Sequence, residues 1–393
     1  MKDVVIVAGA RSAVGAFGKS LRPLSATEMG RQVLEGLMAR TTLPKEAVNE
    51  IILGNGYVHG GGLNAARICS QQAGFPRSVY GHVVIKACGS GLKAITSAAL
   101  AIGAGQEDVV IAGGVESMSN VPYLVKNRWG SKFGNIEMED ALLSDGLICS
   151  LEHEHMGNTA ERLAVQYGIS REEQDLYALS SHQKAAQAIA AGKFDDEIVP
   201  LEIKSRKGVQ VFKQDESVRM EANIDDLAKL PAVFQKDGTV TAGNACPMND
   251  GAASVLMMSR EKAEEYGLKP LLTVKAFASA GVEPNIMGIG PVPATRKALE
   301  KAGLTLDDIG LIELNEAFAA QSLAVIKGLE LDPAKVNVNG GAIALGHPVG
   351  ATGGKLTVTL MHEMLRRKEK YGMVTLCMAG GMGLSVIYEN ATL

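Results

Sequence analysis

The sequence predicts a layered α/β protein that is built from two similar halves with an inserted segment between them. Short, continuous apolar runs alternate with segments of helical periodicity along the 393 residues. Continuous apolar runs are typical of strands that helices cover on both faces, and their alternation with helices is typical of an α/β architecture. Three sequence patterns also recur in the same order in both halves, which favours a duplication.

The predicted strands and helices follow one another at short intervals. The strands are apolar runs bounded by glycine or polar residues, at residues 4–8, 50–53, 83–85, 109–112, 311–313 and 374–378. The helices have apolar residues at intervals of three and four, at residues 25–40, 92–104, 294–302, 318–329 and 352–367. The run at 82–85 is expected to be a buried strand that leads into the helix at 92.

Three pairs of segments carry the evidence for duplication. They match residues 50–56 with 309–315, residues 108–116 with 374–382, and the strand, turn and helix around Cys88 with residues 336–341 and the helix from 352. Because the pairs occur in the same order, Cys88 and the run 339–347 are expected to lie at matching turns.

The middle of the chain has a different character. It is richer in charge and holds the only tryptophan, Trp129. It also contains helical patterns at 160–167 and 171–191, and Ser170, just before the second, forms the spacing of a capping box with Glu173. The sequence therefore predicts an N-terminal core half at 1–119, an inserted loop domain at 120–249, a return to the N-terminal half at 250–270 and a C-terminal core half at 271–393.

Composition excludes several classes of protein. With 46% hydrophobic and 21% charged residues, the chain is globular rather than disordered. Its net charge of −4 and its scattered lysines and arginines give no reason to expect nucleic acid as a partner. No apolar run approaches the roughly 20 residues that cross a bilayer, so no membrane partner is expected. The five cysteines are widely spaced and lack a Cys-X-X-Cys pair, which favours free thiols in a reducing, cytoplasmic compartment.

Cys88 lies in the run Ala-Cys-Gly-Ser-Gly-Leu, between a predicted strand and a predicted helix. The glycines allow the chain to turn sharply there. A thiol at the start of a helix lies near the positive end of the helix dipole, which favours the thiolate that attacks carbonyl groups. A single cysteine in such a run is also typical of a buried residue with a purely structural role. The other glycine-rich runs of the chain favour a nucleophile instead.

Two further glycine-rich runs carry groups that suit catalysis. His347 lies in the run 339–353, among several glycines and one proline, and imidazole suits proton transfer near neutral pH. This run lacks the Lys-Ser/Thr pair of a Walker loop. Cys377 precedes closely spaced glycines in the run 376–383, where exposed backbone N–H groups could form an oxyanion site.

Two polar pairs complete the set of candidate groups. Asn315 and Glu316 lie at a predicted junction between strand and helix, where asparagine is typical of a helix N-cap. His153 and His155 have the spacing of a metal pair, but no further histidine or cysteine lies nearby in the sequence. No metal site is therefore predicted.

Together these runs resemble those of the thiolase family. The matching segments fall in the family's order over residues 2 to 390, at 88–92, 113–119, 155–161, 249–253, 287–293, 315–318, 346–348 and in the glycine run that contains Cys377. The Cys-Gly-Ser-Gly form is similar to that of the biosynthetic, acetoacetyl-CoA type, whereas the degradative type more often has Cys-Ser-Ser-Gly. The resemblance implies the family's duplicated, layered α-β-α-β-α fold.

The resemblance also implies a ping-pong Claisen condensation of two acetyl-CoA molecules to acetoacetyl-CoA and CoA. Cys88 would be acylated by the first molecule while His347 takes the thiol proton. Cys377 would remove a proton from the α-carbon of the second molecule, and the carbanion would attack the acyl-cysteine. His347 and a water held by Asn315 would stabilise the enolate, and the backbone N–H groups of Cys88 and Ala379 would stabilise the second oxyanion.

Substrate binding, assembly and cofactor use follow from the same resemblance. The family's positions for CoA or the acyl group are occupied here by Leu147, His155, Met156, Arg219, Cys246, Met287, Ala317 and Phe318. The implied partners are acetyl-CoA, acetoacetyl-CoA and CoA, with no metal and no cofactor beyond the thioester substrate. A homotetramer or a dimer is implied, with residues 126–134 in the region of the family's tetramer loop.

Four positions depart from the family's pattern. Ile85 replaces a polar residue three positions before the nucleophile, and Ala379 replaces a glycine in the last glycine run. Cys246 and Pro247 stand where serine and glycine are common. These departures concern the support of the nucleophile loop and the fit of the acyl-CoA, not the thiol of Cys88 itself.

Beside an acetyl-CoA C-acetyltransferase activity, three alternatives stay open. The first is a broader 3-ketoacyl-CoA thiolase of fatty-acid degradation. The second is a decarboxylating ketoacyl synthase, which usually has one cysteine with two histidines, or with histidine and asparagine, so that Cys377 argues against it. The third is a thiolase-like acyl-CoA or lipid-binding protein, which would be expected to lack a catalytic residue, and none is missing here.

Overall fold

The computed structural model describes residues 2–393, which form one large mixed sheet, several short hairpins and eleven helices. The strands are β1 (Val4–Ser12), β2 (Gly15–Ala16), β3 (Glu50–Gly54), β4 (Tyr80–Val84), β5 (Val109–Ser117), β6 (Tyr123–Leu124), β7 (Glu139–Asp140), β8 (Ile148–Cys149), β9 (Glu154–His155), β10 (Ile198–Val199), β11 (Leu201–Ser205), β12 (Gly208–Phe212), β13 (Asn249–Ser259), β14 (Leu272–Gly281), β15 (Leu311–Leu314), β16 (Tyr371–Met378) and β17 (Met382–Asn390). The helices are α1 (Ala26–Met38), α2 (Ala65–Gln72), α3 (Ser90–Gly103), α4 (Met156–Gln166), α5 (Arg171–Ala190), α6 (Ile224–Ala228), α7 (Arg260–Glu265), α8 (Pro291–Ala302), α9 (Ala319–Leu329), α10 (Ala342–Leu345) and α11 (Thr352–Arg367).

The large sheet repeats one strand order on either side of its middle. Its order is β15-β16-β17-β14-β1-β13-β5-β3-β4, with β2 paired to β13 and β10 to β1. Read outward, β1-β13-β5-β3 matches β14-β17-β16-β15, and in each half the outer pair is parallel while the inner pairs are antiparallel. Where β4 extends the first half, a parallel bridge of Ile312 to Val336 extends the second. The halves meet where β1 pairs with β14.

Helices cover both outer faces of the sheet and fill the space between its halves. α1 and α2 contact the outer face of the first half, and α8 contacts that of the second. α3 and α11 pack on each other and contact strands of both halves. The three largest hydrophobic clusters occupy the spaces between these layers. The predicted α-β-α-β-α layering is therefore confirmed.

α3 and α11 approach each other at backbone distance. A Cβ atom on Gly91 would lie 2.7 Å from the carbonyl oxygen of Gly350, and one on Gly353 would collide with the backbone of Leu92. Glycine has no Cβ, so it permits this approach. Since Cys88 lies just before α3 and His347 just before α11, the contact fixes the two side chains relative to each other.

Most predicted elements lie within a few residues of the observed ones, and the run 82–85 overlaps β4 as predicted, but its predicted burial is wrong. β4 ends at Val84, His82 is exposed, and Ile85 lies beyond the strand with 61% of its surface exposed. β4 is the last strand at its side of the sheet and pairs with β3, so neither face is fully covered within this chain. The prediction also lacked β13, β14 and β17, whose antiparallel pairing makes the sheet mixed.

Local signals account for two helix starts. Ser25 and Ser170 each accept a hydrogen bond from the backbone of a glutamate three residues on, and each glutamate bonds back, which completes a capping box for α1 and for α5. No helix among residues 2–393 is long and apolar enough to cross a membrane.

Candidate active site

Cys88, Asn315, His347 and Cys377 reach one region from four different chain segments. Cys88 follows β4, Asn315 follows β15, His347 precedes α11, and Cys377 lies near the end of β16. Cys88 and His347 line a cavity of about 270 Å³. Asn315 lies next to His347, and Cys377 is fully buried two residues before Ala379, which lines the cavity.

The turn that carries Cys88 is held by its neighbours. Ala87 has a positive φ of 46°, a conformation that L-residues rarely adopt. Ser90 fixes it, because its hydroxyl accepts the N–H of Lys86 at 2.8 Å and donates to the carbonyl of Ala87 at 2.7 Å. A side chain at Gly89 would collide with Met378, so the turn lies directly against the end of β16.

The thiol of Cys88 is held in its protonated form by its surroundings. Burial raises its pKa to about 11, although the backbone N–H groups of Ala379 and of Cys88 itself favour the thiolate. The nearby carboxylate of Glu116 raises the pKa further. The N–H groups at this turn favour the thiolate, in the direction that the sequence predicts, but the loss of solvent outweighs them in the free protein. The N–H of Ala379 therefore lies close to the sulfur of Cys88.

His347 is a neutral imidazole with one identifiable tautomer. Thr352 donates its hydroxyl proton to the carbonyl of Pro348 at 2.9 Å, so Thr352 Oγ1 accepts the Nδ1–H of His347 at 2.6 Å. Nε2 is left unprotonated and accepts a hydrogen bond from Asn315 Nδ2 at 3.4 Å. Burial lowers the pKa of His347 to about 3, and the positive charge of Lys355 lowers it further. Nε2 is thus a base that stays available at neutral pH.

Lys355 supports the histidine loop from α11. Its Nζ is buried and donates to the carbonyl of Gly346, the residue before His347, at 2.8 Å. Burial lowers the pKa of Lys355 to about 8. The backbone N–H of His347 donates to Asn249 Oδ1 at 2.8 Å, so the loop is held from both α11 and β13.

Asn315 and Glu316 do not cap a helix, contrary to one interpretation of the sequence. α9 begins at Ala319 with Phe318 as its N-cap. Asn315 is fully buried, and its Oδ1 accepts no hydrogen bond from the described residues. Glu316 instead accepts bonds from Ser181, Asn337 and the backbone of Ile343, so it fixes the turn that presents Asn315.

Three thiols lie close enough to influence one another. Burial raises the pKa of Cys377 well above its usual value, and negative charge on Cys88 or Cys246 raises it further. Burial likewise raises the pKa of Cys246 to about 12, with Cys88 as the next cause. Cys246 lines the cavity, and its backbone N–H donates to the carbonyl of Ala317 at 3.0 Å. All three are thiols rather than thiolates in the free protein.

Glu116, which is not among the predicted site residues, joins two loops of the site. Its buried carboxylate accepts the N–H of Gly350 at 2.7 Å and that of Gly56 at 2.8 Å. It also accepts from Asn55 Nδ2 at 2.7 Å and from the N–H of Tyr57 at 3.2 Å. Burial raises its pKa to about 7. A carboxylate within an otherwise apolar glycine run was the available signal.

Six of the eight predicted substrate positions line the same cavity as Cys88, and two lie elsewhere. The six are Leu147, Met156, Cys246, Met287, Ala317 and Phe318. His155 caps α4 by accepting the N–H of Gly157 and stacks on Phe234, with 4.4 Å between ring centres. Arg219 lines a neighbouring cavity of about 210 Å³, together with Ala245 and Pro247, the residues on either side of Cys246.

Metal ligands are not grouped anywhere in residues 2–393: no cluster of three or more His, Cys, Asp or Glu side chains could hold an ion. His153 and His155, the pair noted in the sequence, take part in no such group.

Comparison with known proteins gives matches over nearly the whole chain. The family models of the thiolase N-terminal domain and the thiolase C-terminal domain match residues 4–261 and 268–390. Acetyl-CoA acetyltransferase from Chromobacterium violaceum is 52% identical, over 99% of this chain and 100% of the relative. The corresponding protein of Escherichia coli K12 is 49% identical, again over 99% of this chain and 100% of the relative.

Solved structures give the same result for the fold. The acetyl-CoA acetyltransferase of Bacillus anthracis superimposes with a TM-score of 0.98 and 47% identity, covering 99% of both chains. Human mitochondrial 3-ketoacyl-CoA thiolase superimposes with a TM-score of 0.96 and 42% identity, also covering 99% of both chains.

Proposed function

This chain belongs to the thiolase family, and we propose that it is an acetyl-CoA C-acetyltransferase. The reaction is the reversible condensation of two acetyl-CoA molecules to acetoacetyl-CoA and CoA through an acyl group on Cys88. The observation that carries the proposal is that Cys88 and His347, with its unprotonated Nε2, line one cavity, while the buried Cys377 lies within range of the charge of Cys88. Two thiols and one neutral base are what an acyl transfer coupled to α-proton removal requires.

Acylation begins with both cysteines protonated. His347 Nε2 takes the proton of Cys88 as the sulfur attacks the carbonyl carbon of acetyl-CoA, and the N–H groups of Cys88 and Ala379 stabilise the oxyanion. The bond from the carbonyl carbon to the sulfur of CoA then breaks, and the leaving thiolate takes the proton of Cys377. This step leaves acyl-Cys88, a Cys377 thiolate, a protonated His347 and free CoA.

Condensation returns both protons. The Cys377 thiolate takes an α-proton from a second acetyl-CoA, and His347 with Asn315, through a water bound to its amide, stabilises the enolate. The α-carbon attacks the acyl carbon, the bond to Cys88 sulfur breaks, and His347 returns its proton to Cys88. The buried Oδ1 of Asn315, free of protein donors among the described residues, supports its role as a water ligand.

The proposed partners are acetyl-CoA, acetoacetyl-CoA and CoA. The acyl end would lie in the cavity that Cys88 lines, and Arg219 with His155 would contact CoA beyond it. No metal or cofactor other than the thioester is part of the proposal. Five free cysteines support a reducing, cytoplasmic compartment.

We also propose that the protein is a homotetramer, with a dimer as its smaller unit. The outer edge of β4 and the exposed Ile85 support a dimer contact, because exposed apolar strand edges favour pairing with another chain. Trp129 and Phe133, at 93% and 99% exposure, support a further contact through the segment 126–134.

A broader 3-ketoacyl-CoA thiolase is the second candidate. The likeness to human mitochondrial 3-ketoacyl-CoA thiolase favours it, with 42% identity over 99% of the chain. Thiolysis rates with 3-ketoacyl-CoA of increasing chain length separate the two: a steep fall beyond acetoacetyl-CoA supports the acetyltransferase.

The mechanism is tested with Cys88→Ala and Cys377→Ala. Mass spectrometry of the protein after addition of acetyl-CoA should show one acetyl group on the wild type and none on Cys88→Ala. Cys377→Ala should also be acetylated, but more slowly, because the leaving CoA thiolate must take its proton from solvent. Both variants should lose condensation, measured as acetoacetyl-CoA formation. Condensation by Cys88→Ala would overturn the mechanism.

A further inference from the structure

We propose that Tyr57 is the residue that limits the length of the acyl group on Cys88. Its ring closes the cavity at the reacting end, so that acetyl is accepted and longer chains are excluded. This inference rests on the proposed function, because it concerns the acyl-cysteine of that reaction.

Tyr57 lines the cavity beside the loops that carry Cys88 and His347. It lines the cavity together with Ala87, which precedes Cys88, and Val349, which follows His347 by two residues. A Cβ atom on Gly56 would lie 2.9 Å from Val349, so the Tyr57 loop lies directly against the histidine loop. Leu151, another lining residue, is 65% exposed, so the cavity opens to solvent at Leu151.

The ring of Tyr57 is fixed on several sides. Its hydroxyl donates to the carbonyl of Leu142 at 3.1 Å, and its backbone N–H donates to Glu116 at 3.2 Å. The ring packs against Met118 and Leu142, with only 7% of the residue exposed. Gly146 lies so close to the phenol that a side chain there would collide with it. Tyr57 therefore cannot swing aside for a longer chain without breaking these contacts.

A second contact holds the same wall of the cavity in place. His59 Nε2 lies 3.0 Å from a carboxylate oxygen of Asp145, which joins the Tyr57 loop to the segment that includes Gly146. Negative charge on Cys88 also contributes to a raised pKa of Tyr57, after burial, so the phenol lies within range of the charge on the sulfur. The hydroxyl is engaged at Leu142, so the ring presents its apolar surface to an acyl chain.

The expected loss of acylation rate with longer acyl chains can be taken from other apolar pockets. One methylene group too many in a tight pocket changes reactivity by about 10- to 200-fold. Acylation of the wild type by butyryl-CoA should thus be at least about tenfold slower than by acetyl-CoA, and by hexanoyl-CoA slower still.

The experiment follows Cys88 acylation by mass spectrometry with acetyl-, butyryl- and hexanoyl-CoA. Wild type, Tyr57→Phe, Tyr57→Leu and Tyr57→Ala are compared. Tyr57→Leu and Tyr57→Ala should raise the ratio of hexanoyl to acetyl transfer at least about tenfold. Tyr57→Phe keeps the ring and should keep the wild-type ratio, although it loses the bond to Leu142.

The outcomes separate the two proposals. Equal acylation of the wild type by all three thioesters would overturn the role of Tyr57, even if no variant folds. An unchanged ratio in a folded Tyr57→Leu or Tyr57→Ala would overturn it as well. If acetyl-CoA does not acylate wild-type Cys88 at all, the proposed function fails instead.

Discussion

At the scale of single residues, the reacting groups are neutral in the free protein. Burial raises the pKa of Cys88 and lowers that of His347, so a thiol faces an imidazole instead of a thiolate facing an imidazolium. The position of Cys88 at a turn before a helix was predictable from its flanking glycines. Its ionisation was not, because it depends on the loss of solvent in the folded protein and, to a smaller extent, on the N–H of Ala379 and the charge of Glu116.

The neutral pair predicts a particular pH dependence of alkylation. Because the pKa of Cys88 is raised to about 11, its thiolate fraction should grow about tenfold per pH unit between pH 7 and pH 10. The rate of Cys88 modification by iodoacetamide, located by peptide mass spectrometry, should grow in parallel. A rate that is constant over this range would indicate a preformed ion pair. Cys88→Ser gives the background from the other thiols.

Thr352 is expected to set the reactive tautomer of His347. Thr352→Val removes the acceptor for the Nδ1–H, so kcat should fall by roughly 10- to 100-fold with little change in KM. Thr352→Ser retains the hydroxyl and should restore most of the activity. Full activity of a folded Thr352→Val would show that the Nδ1 contact is dispensable.

Cys246 is expected to affect binding rather than chemistry. Its side chain lines the cavity that contains Cys88 and His347. Its sequence neighbours Ala245 and Pro247 line the second cavity, together with Arg219. Cys246→Ser replaces a weak donor with a hydroxyl and should change the KM for acyl-CoA substrates several-fold, with kcat nearly constant. Initial rates at varied acetoacetyl-CoA and CoA measure this. An unchanged KM would make the cysteine a neutral replacement.

At the scale of elements, the loops of the site are held in place by common hydrogen-bond acceptors. Glu116, at the end of β5, holds the loop after β3 and the loop before α11 through one carboxylate. Helices such as Thr352–Arg367 were predictable to the residue from their periodicity. β13 and β17 were missed because their runs mix glycine, serine and polar residues with apolar ones, and their burial depends on neighbours far along the chain.

Glu116→Gln should loosen both loops and change the reactivity of Cys88. The amide has one acceptor oxygen fewer, so buried N–H groups lose a partner, at a cost of about 1–3 kcal/mol in the free energy of unfolding. Loss of the nearby negative charge should lower the pKa of Cys88 and raise its alkylation rate at pH 8. Urea unfolding and iodoacetamide kinetics measure the two effects.

A matched control for this prediction is Glu50→Gln. Glu50 is a largely buried carboxylate on β3 that contacts His82, outside the site. Its substitution should leave the alkylation rate of Cys88 unchanged. Equal alkylation rates in both variants and in the wild type would refute an electrostatic influence of Glu116 on the thiol.

At the scale of the whole molecule, two matching sets of strands form one sheet around a shared pair of helices. The recurring sequence patterns predicted which strands match between the two halves. The pair 50–56 and 309–315 falls on β3 and β15, and the pair 108–116 and 374–382 falls on β5 and β16, which have the same places in the strand order. The segment boundaries at 119, 249 and 270 stay a prediction. The exposure of β4 could not be predicted from the sequence. An apolar run is typical of strands inside a sheet and also of strands at its edge, so it does not show where in the sheet the strand lies.

The proposed tetramer gives the prediction at this scale. Trp129→Asp combined with Phe133→Asp places two carboxylates in the exposed segment and should convert tetramers to dimers in light scattering coupled to gel filtration. Both residues lie outside the cavity that Cys88 lines, so Cys88 acylation should continue in the smaller species. A tetramer that persists in the double variant would show that another surface holds it together.

The contact of α3 with α11 has a consequence for protein engineering. It is made by backbone atoms of Gly91, Gly350 and Gly353, so its fit depends on the absence of side chains and not on their complementarity. Chimaeras that take residues up to 261 from one thiolase and the remainder from another should therefore preserve this joint wherever both parents have these three glycines. Recombination of parental genes at this junction offers a route to new acyl-CoA preferences with the reacting pair left in place.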